Sequence, residues 1–133
     1  MSTGAPGFGY SGSEHRPDDY VGKVVAFAWL NGEDNKFYLK FEDGKQIAIW
    51  DCGQSCCEKR YMRTDDDPQD LVGGKLIGIV ARPVANDENP YGDYCHEICF
   101  VEVSTDKGHV VFSNHNEHNG YYGGFVLTIT EVP

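Results

Sequence analysis

The sequence has no long apolar run and few basic residues, and each absence excludes a class of protein. No stretch approaches the ~20 apolar residues that span a bilayer. The first residues lack the basic and then apolar pattern of a secretory signal, so we expect no membrane insertion and no export. Lys and Arg number 11 against 21 Asp and Glu, for a net charge of −10. That charge makes nucleic-acid and anionic-membrane partners unfavourable, because their phosphates are repelled.

Cysteine is also scarce. Five cysteines in 133 residues are an odd number and too few for a disulfide scaffold, so we expect free thiols and synthesis in a reducing compartment. Hydrophobic residues make up 40% and aromatic residues 13%, which is enough for a packed core. The length is that of one ordinary domain.

Two segments differ in composition. Residues 1–20 are rich in Gly, Ser and Pro and predict a flexible N-terminal arm, whereas residues 21–133 predict a single β-rich domain. The aromatic residues of the arm, Phe8, Tyr10 and Tyr20, are interface candidates. They could pack onto another chain or onto a groove of the domain's own sheet.

Alternating apolar residues predict a mainly β fold. Phe37, Leu39 and Phe41 alternate with polar residues, and a similar run follows Asp43-Gly44, so residues 35–50 predict a hairpin with those three side chains buried. Further runs give about seven mostly antiparallel strands, in a sandwich or a partly open barrel. Five runs besides the hairpin predict strands: the continuous apolar runs "KVVAFAWL" and "KLIGIVARPV", and the runs "YCHEICFVEVS", "HVVFS" and "YYGGFVLTITEV".

Residues 52–73 lose the alternation, and one or two short helices are predicted around residues 55–73. Ser55 and Glu58 have the spacing of a capping box ahead of "EKRYM", and Asp67-Pro68 is typical of a helix start. The polar segments "ANDENPYGD" and "NHNEHNG" predict a loop and a turn.

The order of several short motifs resembles an uncharacterised domain family that is widespread in bacteriophage genomes and occasional in bacteria. The matching pieces are "FEDGKQIAIW", "SCCE" at 55–58, "DLVGGKLIGI" at 70–79, "TDKGHVVF" at 105–112 and "NGYY" at 119–122. Ser55 stands where the family usually has Asp. The resemblance implies a phage setting and no particular chemistry.

The cysteines are the candidate metal ligands: Cys52, Cys56, Cys57, Cys95 and Cys99. Zinc–sulfur bonds of about 2.3 Å bring ligand sulfurs within about 4 Å of each other. Two cysteines four residues apart on a strand are separated by about 13 Å, so the full set cannot bind one ion. A reduced set stays open: Cys52, one of Cys56 or Cys57, and one of Cys95, His96 or Cys99.

Two other interpretations of the cysteines compete with zinc. Cys56 and Cys57 could be reactive thiols near a helix start, although Asp51 and Glu58 oppose a thiolate there. We favour the third, in which the cysteines are small buried hydrophobic residues. We therefore expect no cofactor, with zinc as the alternative.

Three other clusters invite a functional interpretation. His115, Glu117 and His118 could bind a metal, but a polar turn explains them more simply. The acids of "RTDDDPQD" could bind calcium, yet a solvated turn before a helix fits better. Tyr121 and Tyr122 are interface candidates, since tyrosine is favoured in protein contacts.

These patterns together predict a non-enzymatic, phage-type β domain that binds a protein partner. The partner is either in the virion, with the domain as a capsid accessory or decoration protein, or a host protein. The expected location is the host cytoplasm or the virion, and an oligomer is compatible with the sequence. The alternative is a small metal-dependent or thiol-based enzyme that uses the Cys52–Glu58 corner.

Overall fold

The computed structural model describes residues 15–53, 59–88, 95–118 and 125–133, without the side chains of residues 83–88 and Cys95. Eight strands lie within these ranges: β1 (Val25–Asn31), β2 (Lys36–Phe41), β3 (Gln46–Asp51), β4 (Lys59–Thr64), β5 (Leu76–Glu88), β6 (Cys95–Thr105), β7 (His109–His118) and β8 (Leu127–Glu131). Two 3₁₀ turns complete the regular structure, η1 (Pro17–Tyr20) and η2 (Pro68–Leu71).

The strands form two four-stranded antiparallel sheets. The first sheet has the order β1-β2-β3-β8 and the second has the order β4-β7-β6-β5. The chain crosses between the sheets after β3 and after β7, and the connection from β4 to β5 joins the two edges of the second sheet. The predicted mainly β fold is confirmed, and it takes the sandwich form of the two alternatives.

The core lies between the sheets, where alternate positions of the strands place apolar side chains inward. Phe37 of the first sheet stacks on Phe112 of the second, with ring centroids 4.7 Å apart. β7 shows strict alternation of inward and outward positions over its whole length. Burial of such apolar area, at about 25 cal/mol per Å², stabilises the packing of the two sheets.

The predicted hairpin is confirmed. β2 pairs with β3 in antiparallel register, and Leu39 lies opposite Ile47. Gly44 has φ +94°, a value that side-chain-bearing residues rarely adopt, which explains glycine at this turn. Phe37, Leu39 and Phe41 are at most 1% exposed.

Three local predictions are wrong. Residues 59–62, expected in a short helix, belong to β4, because pairing with β7 overrides the local capping pattern. Residues 114–118, expected in a turn, continue β7 and pair with β6. Residues 85–88, expected in a loop, continue β5. The proposed cap Ser55 lies outside the described residues.

The second predicted helix is present as η2. Asp67 caps it by accepting a hydrogen bond from the Gln69 backbone N–H at 3.0 Å, and Pro68 is its first residue. At the other end of the described chain, η1 carries Tyr20 into the core. Tyr20 stacks on Phe41 and donates a hydrogen bond to Glu131 at 2.8 Å. The end of the predicted arm is therefore packed on the domain.

Replacement of Leu39 by alanine tests the position of the core. Leu39 is 0% exposed, so Leu39→Ala should lower the free energy of unfolding by about 2–5 kcal/mol, as buried large-to-small changes do. Urea denaturation measures the loss. Lys40→Ala, on the same strand but the opposite face, is the control and should change stability far less. Equal losses for both variants would contradict the register.

Candidate functional site

The structure separates the candidate cysteine ligands. Cys52 is exposed just after β3, whereas Cys99 is buried in the middle of β6. Burial first, and the Asp51 carboxylate second, raise the pKa of Cys99 to about 12, so its thiol stays protonated at neutral pH. Cys99 is thus a poor zinc ligand, because the metal binds thiolate.

The reduced zinc set stays a prediction, because the side chains of three of its candidate cysteines are not described. Cys56 and Cys57 lie outside the described residues, and the side chain of Cys95 is not described. Within the part of the chain that the structure describes, no three His, Cys, Asp or Glu side chains are grouped so as to hold a metal ion.

The second candidate metal cluster is His115, Glu117 and His118. These residues lie on β7, where the sequence predicted a turn, and the strand points them to opposite faces. Because side chains alternate along β7, His115 and Glu117 face outward and His118 faces the interior. His118 is 8% exposed and lies 2.9 Å from the Glu97 carboxylate. The three side chains cannot bind one metal ion. Their burial pattern shows that the turn interpretation was wrong.

The acidic segment before η2 has structural partners. Asp66 accepts a hydrogen bond from the Val111 backbone N–H at 2.8 Å, while Asp67 caps η2. These bonds fit the solvated turn that the sequence predicts.

Of the five interface candidates, the structure describes Tyr20. Tyr20 is 1% exposed in the core, so its ring has no free area for another chain. Phe8, Tyr10, Tyr121 and Tyr122 lie outside the described residues. Their roles stay predictions.

An aromatic surface that the sequence analysis missed covers the outer face of the first sheet. Phe27 and Trp29 point outward from β1 and are 58% and 36% exposed. Trp29 stacks on Tyr38 of β2, with ring centroids 4.9 Å apart. We call this area the aromatic surface; its members are Phe27, Trp29, Lys36, Tyr38, Lys40 and Trp50.

Local contacts hold these side chains in place. The Lys36 ammonium lies 4.3 Å from the centre of the Trp50 ring, a cation–π contact. Trp50 donates its indole N–H to Thr130 at 3.2 Å. Tyr38 donates to Asp34 at 2.5 Å, and this bond, with some burial, raises the pKa of Tyr38 to about 12. The surface is therefore largely preorganised.

The strand positions of the aromatic surface carry positive charge although the chain is acidic, and the Asp34 carboxylate lies beside them on Tyr38. The strand residues that face outward here include Lys36 and Lys40 and no Asp or Glu. They also include no Ser, Cys or His. The missed signal was present in the sequence: Tyr38, Lys36 and Lys40 occupy the polar half of the hairpin alternation, and Phe27 and Trp29 are two residues apart.

A buried ion pair joins the sheets at one end of the sandwich. Arg60 of β4 donates to Asp51 of β3 at 2.6 Å, and the two side chains are 9% and 7% exposed. The same carboxylate accepts hydrogen bonds from the backbone N–H groups of Gly53 and Val126, at 3.1 and 2.8 Å. A side chain at Gly53 would come within 3.0 Å of the guanidinium, which explains glycine there.

Comparison with known proteins places the chain in a family. A family model described as a domain of unknown function, DUF7448, matches residues 18–128. The chain belongs to the DUF7448 family. No curated protein and no solved structure gives a significant match.

The match spans every strand that carries the aromatic surface and the ion pair, and it ends within β8. Both features therefore belong to the DUF7448 domain. No helix among its described residues is long and apolar enough to cross a membrane.

Thiol labelling tests the assignment of the two described cysteines. Brief iodoacetamide treatment of the folded protein should modify Cys52 and spare Cys99, because Cys99 is buried and protonated. Peptide mapping by mass spectrometry gives the two extents of modification. A sample unfolded in urea is the control and should show both cysteines modified. Rapid native labelling of Cys99 would contradict its place in the core.

Proposed function

We propose that this domain acts by binding another protein through the aromatic surface. Exposed Trp, Tyr and Phe side chains are enriched in protein interfaces relative to the rest of a protein surface. Trp and Tyr also dominate the binding energy of measured interfaces. The observation that carries the proposal is the stacked, outward-facing Trp29–Tyr38 pair with Phe27 58% exposed beside it.

A cleft beside Trp29 supplies a place for an anchoring side chain of the partner. It has a volume of about 510 Å³ and lies between β1 and η2. Its apolar lining includes Ala28, Leu30 and Pro68, and its polar lining includes Arg63, Thr64 and Asp65. Gln69 closes one side by donating to the Ala28 carbonyl at 3.1 Å. An apolar group seated there would contact the exposed side of Trp29.

The charge of the aromatic surface favours a partner segment that carries carboxylates. Lys36 and Lys40 are the charged strand residues that face outward, whereas the whole chain has a net charge of −10. An acidic segment is attracted by these lysines and kept off the remaining acidic surface. The absence of Ser, Cys and His from these outward positions favours binding over catalysis at this surface.

We propose that the protein is encoded by a bacteriophage. This proposal rests on the motif order described above, and its two forms are a virion-borne accessory protein and a protein that binds a host factor. Mass spectrometry of purified phage particles separates these forms, because only the first requires copies in the particle.

Substitution of the exposed aromatic residues tests the binding proposal. Phe27→Ser with Trp29→Ser should remove partner capture from phage-infected cells, measured by quantitative mass spectrometry. Increasing salt from about 0.05 to 0.5 M should weaken capture by the unchanged protein, since screening reduces the attraction of Lys36 and Lys40.

The matched control is Ile77→Ser with Val80→Ser. These two residues are 58% and 46% exposed on β5 of the other sheet, so the control removes a comparable apolar area. It should retain the same captured protein. Thermal melting establishes that both variants are folded. Equal capture by folded forms of both variants would overturn the proposal, and so would capture of a nucleic acid in place of a protein.

A further inference from the structure

A chain of polar side chains crosses the outer face of the second sheet, opposite the aromatic surface. His115 of β7 lies between two partners: its Nε2 atom is 2.8 Å from Ser113 Oγ, and its Nδ1 atom is 2.9 Å from His96 Nε2. Ser113 and His115 are two residues apart on one strand, and His96 is on the adjacent strand β6. A hydroxyl, an imidazole and a third group are therefore joined in series.

The imidazole of His115 is held from one side by an aromatic ring. Tyr61 of β4 lies opposite His115 in the register, and the two rings are stacked at 4.6 Å with an angle of 3° between their planes. Tyr61 donates to Glu117 at 2.5 Å and also lies 3.4 Å from His96 Nε2. These contacts restrict rotation of the ring that lies between Ser113 and His96.

The arrangement has a tautomer that suits proton abstraction. When His115 Nδ1–H donates to His96, its Nε2 atom is left to accept the Ser113 proton. The other acceptor within reach of the hydroxyl, the Arg63 carbonyl, is more distant at 3.3 Å. Burial lowers the pKa of His115, with smaller contributions in the same direction from His96 and Arg63, while Glu117 opposes them. The ring is therefore neutral at pH 7 and able to accept a proton.

A cleft of about 400 Å³ opens beside Ser113 and His115. Phe100 and Val111 are its apolar walls, and Asp65 and Asp66 also line it. Arg63 lies beside Ser113 in the β4–β7 register. The apolar walls fit a small acyl group, and the guanidinium of Arg63 supplies positive charge for the oxygen of a carbonyl under attack.

We propose that Ser113 is a nucleophile for small carboxylic esters, with His115 as its general base and His96 as a positioning residue. A nucleophile, a base within hydrogen-bond reach and a third group that orients the base are the signature of this chemistry. Ser113 Oγ bonds to the acyl carbon while its proton moves to His115 Nε2. The carbon–oxygen bond to the alcohol breaks, and the alcohol takes that proton. Water then releases the acid and restores Ser113.

This inference goes beyond the proposed binding function. It concerns the other outer face of the sandwich and uses none of the six residues of the aromatic surface, although Arg63 lines both clefts. The substitutions that test the two proposals fall on different residues, so either proposal can fail while the other stands.

A fluorophosphonate probe tests the nucleophile directly. It reacts with activated serines: a serine oxygen–phosphorus bond forms, and fluoride leaves. Incubation of the full chain at pH 8, followed by peptide mapping, should place the adduct on Ser113. Ser113→Ala should abolish labelling, and His115→Gln should slow it by about 100-fold, the scale of general base catalysis. Ser104→Ala, which removes another outward serine of the same sheet, is the control and should label normally.

Two substitutions of His96 test its role in positioning His115, with the rate of probe labelling as the measurement. His96→Gln keeps an oxygen that can accept from His115 Nδ1–H and should retain most of the labelling rate, whereas His96→Leu should lose it. Circular dichroism shows whether each variant is folded. The proposal is overturned if the folded wild-type protein gives no adduct on Ser113 where a serine esterase is fully labelled. Unchanged labelling of a folded His115→Gln variant would overturn it too.

Discussion

The buried ion pair between Arg60 and Asp51 is the constraint on which the arrangement of the two sheets depends. Each charge would be strongly destabilising if left alone in the interior, so the two side chains must stay together. Arg60 belongs to an edge strand of the second sheet and Asp51 to an inner strand of the first. Since Asp51 also binds the backbone N–H groups of Gly53 and Val126, one carboxylate fixes the chain just after β3, just before β8 and beside β4.

Once the sheets are fixed in this way, strand alternation creates two independent outer faces. On the first sheet it presents Trp29, Tyr38 and Trp50 to solvent, with lysines beside them. On the second it aligns Ser113, His115 and Tyr61, because residues two apart on β7 point the same way and register pairing brings β4 alongside. We infer that the first face binds a partner and that the second carries a reactive serine.

Local sequence pattern predicts those parts of the fold in which local and long-range interactions agree. The hairpin is such a case, since a glycine with positive φ and alternating Phe37, Leu39 and Phe41 favour the same register. The cap at Asp67 is another, because its hydrogen bonds lie within four residues. The pattern fails for residues 59–62 and 114–118, where pairing between β4, β7 and β6 decides the structure.

The candidate sites were harder to predict for the same reason. The partner of His115 is His96, which is 19 residues away, and Tyr61 is 54 residues away, so neither contact has a local signature. Cysteine counting drew attention to residues 52–58, whereas Cys99 proves to be a core residue. Polar residues in "NHNEHNG" suggested a turn because alternate inward positions are filled by Asn114, Asn116 and His118 in place of apolar side chains.

The two tryptophans of the chain, Trp29 and Trp50, both lie on the aromatic surface, so they report directly on the central claim that this surface binds the partner. The decisive measurement is ¹⁹F NMR of the domain labelled with 5-fluorotryptophan, recorded before and after addition of the purified, unlabelled partner. The Trp50→Phe variant assigns the two resonances. We predict that both resonances shift or broaden when the complex forms. Two unchanged resonances in a sample that gel filtration shows to be fully complexed would contradict the account.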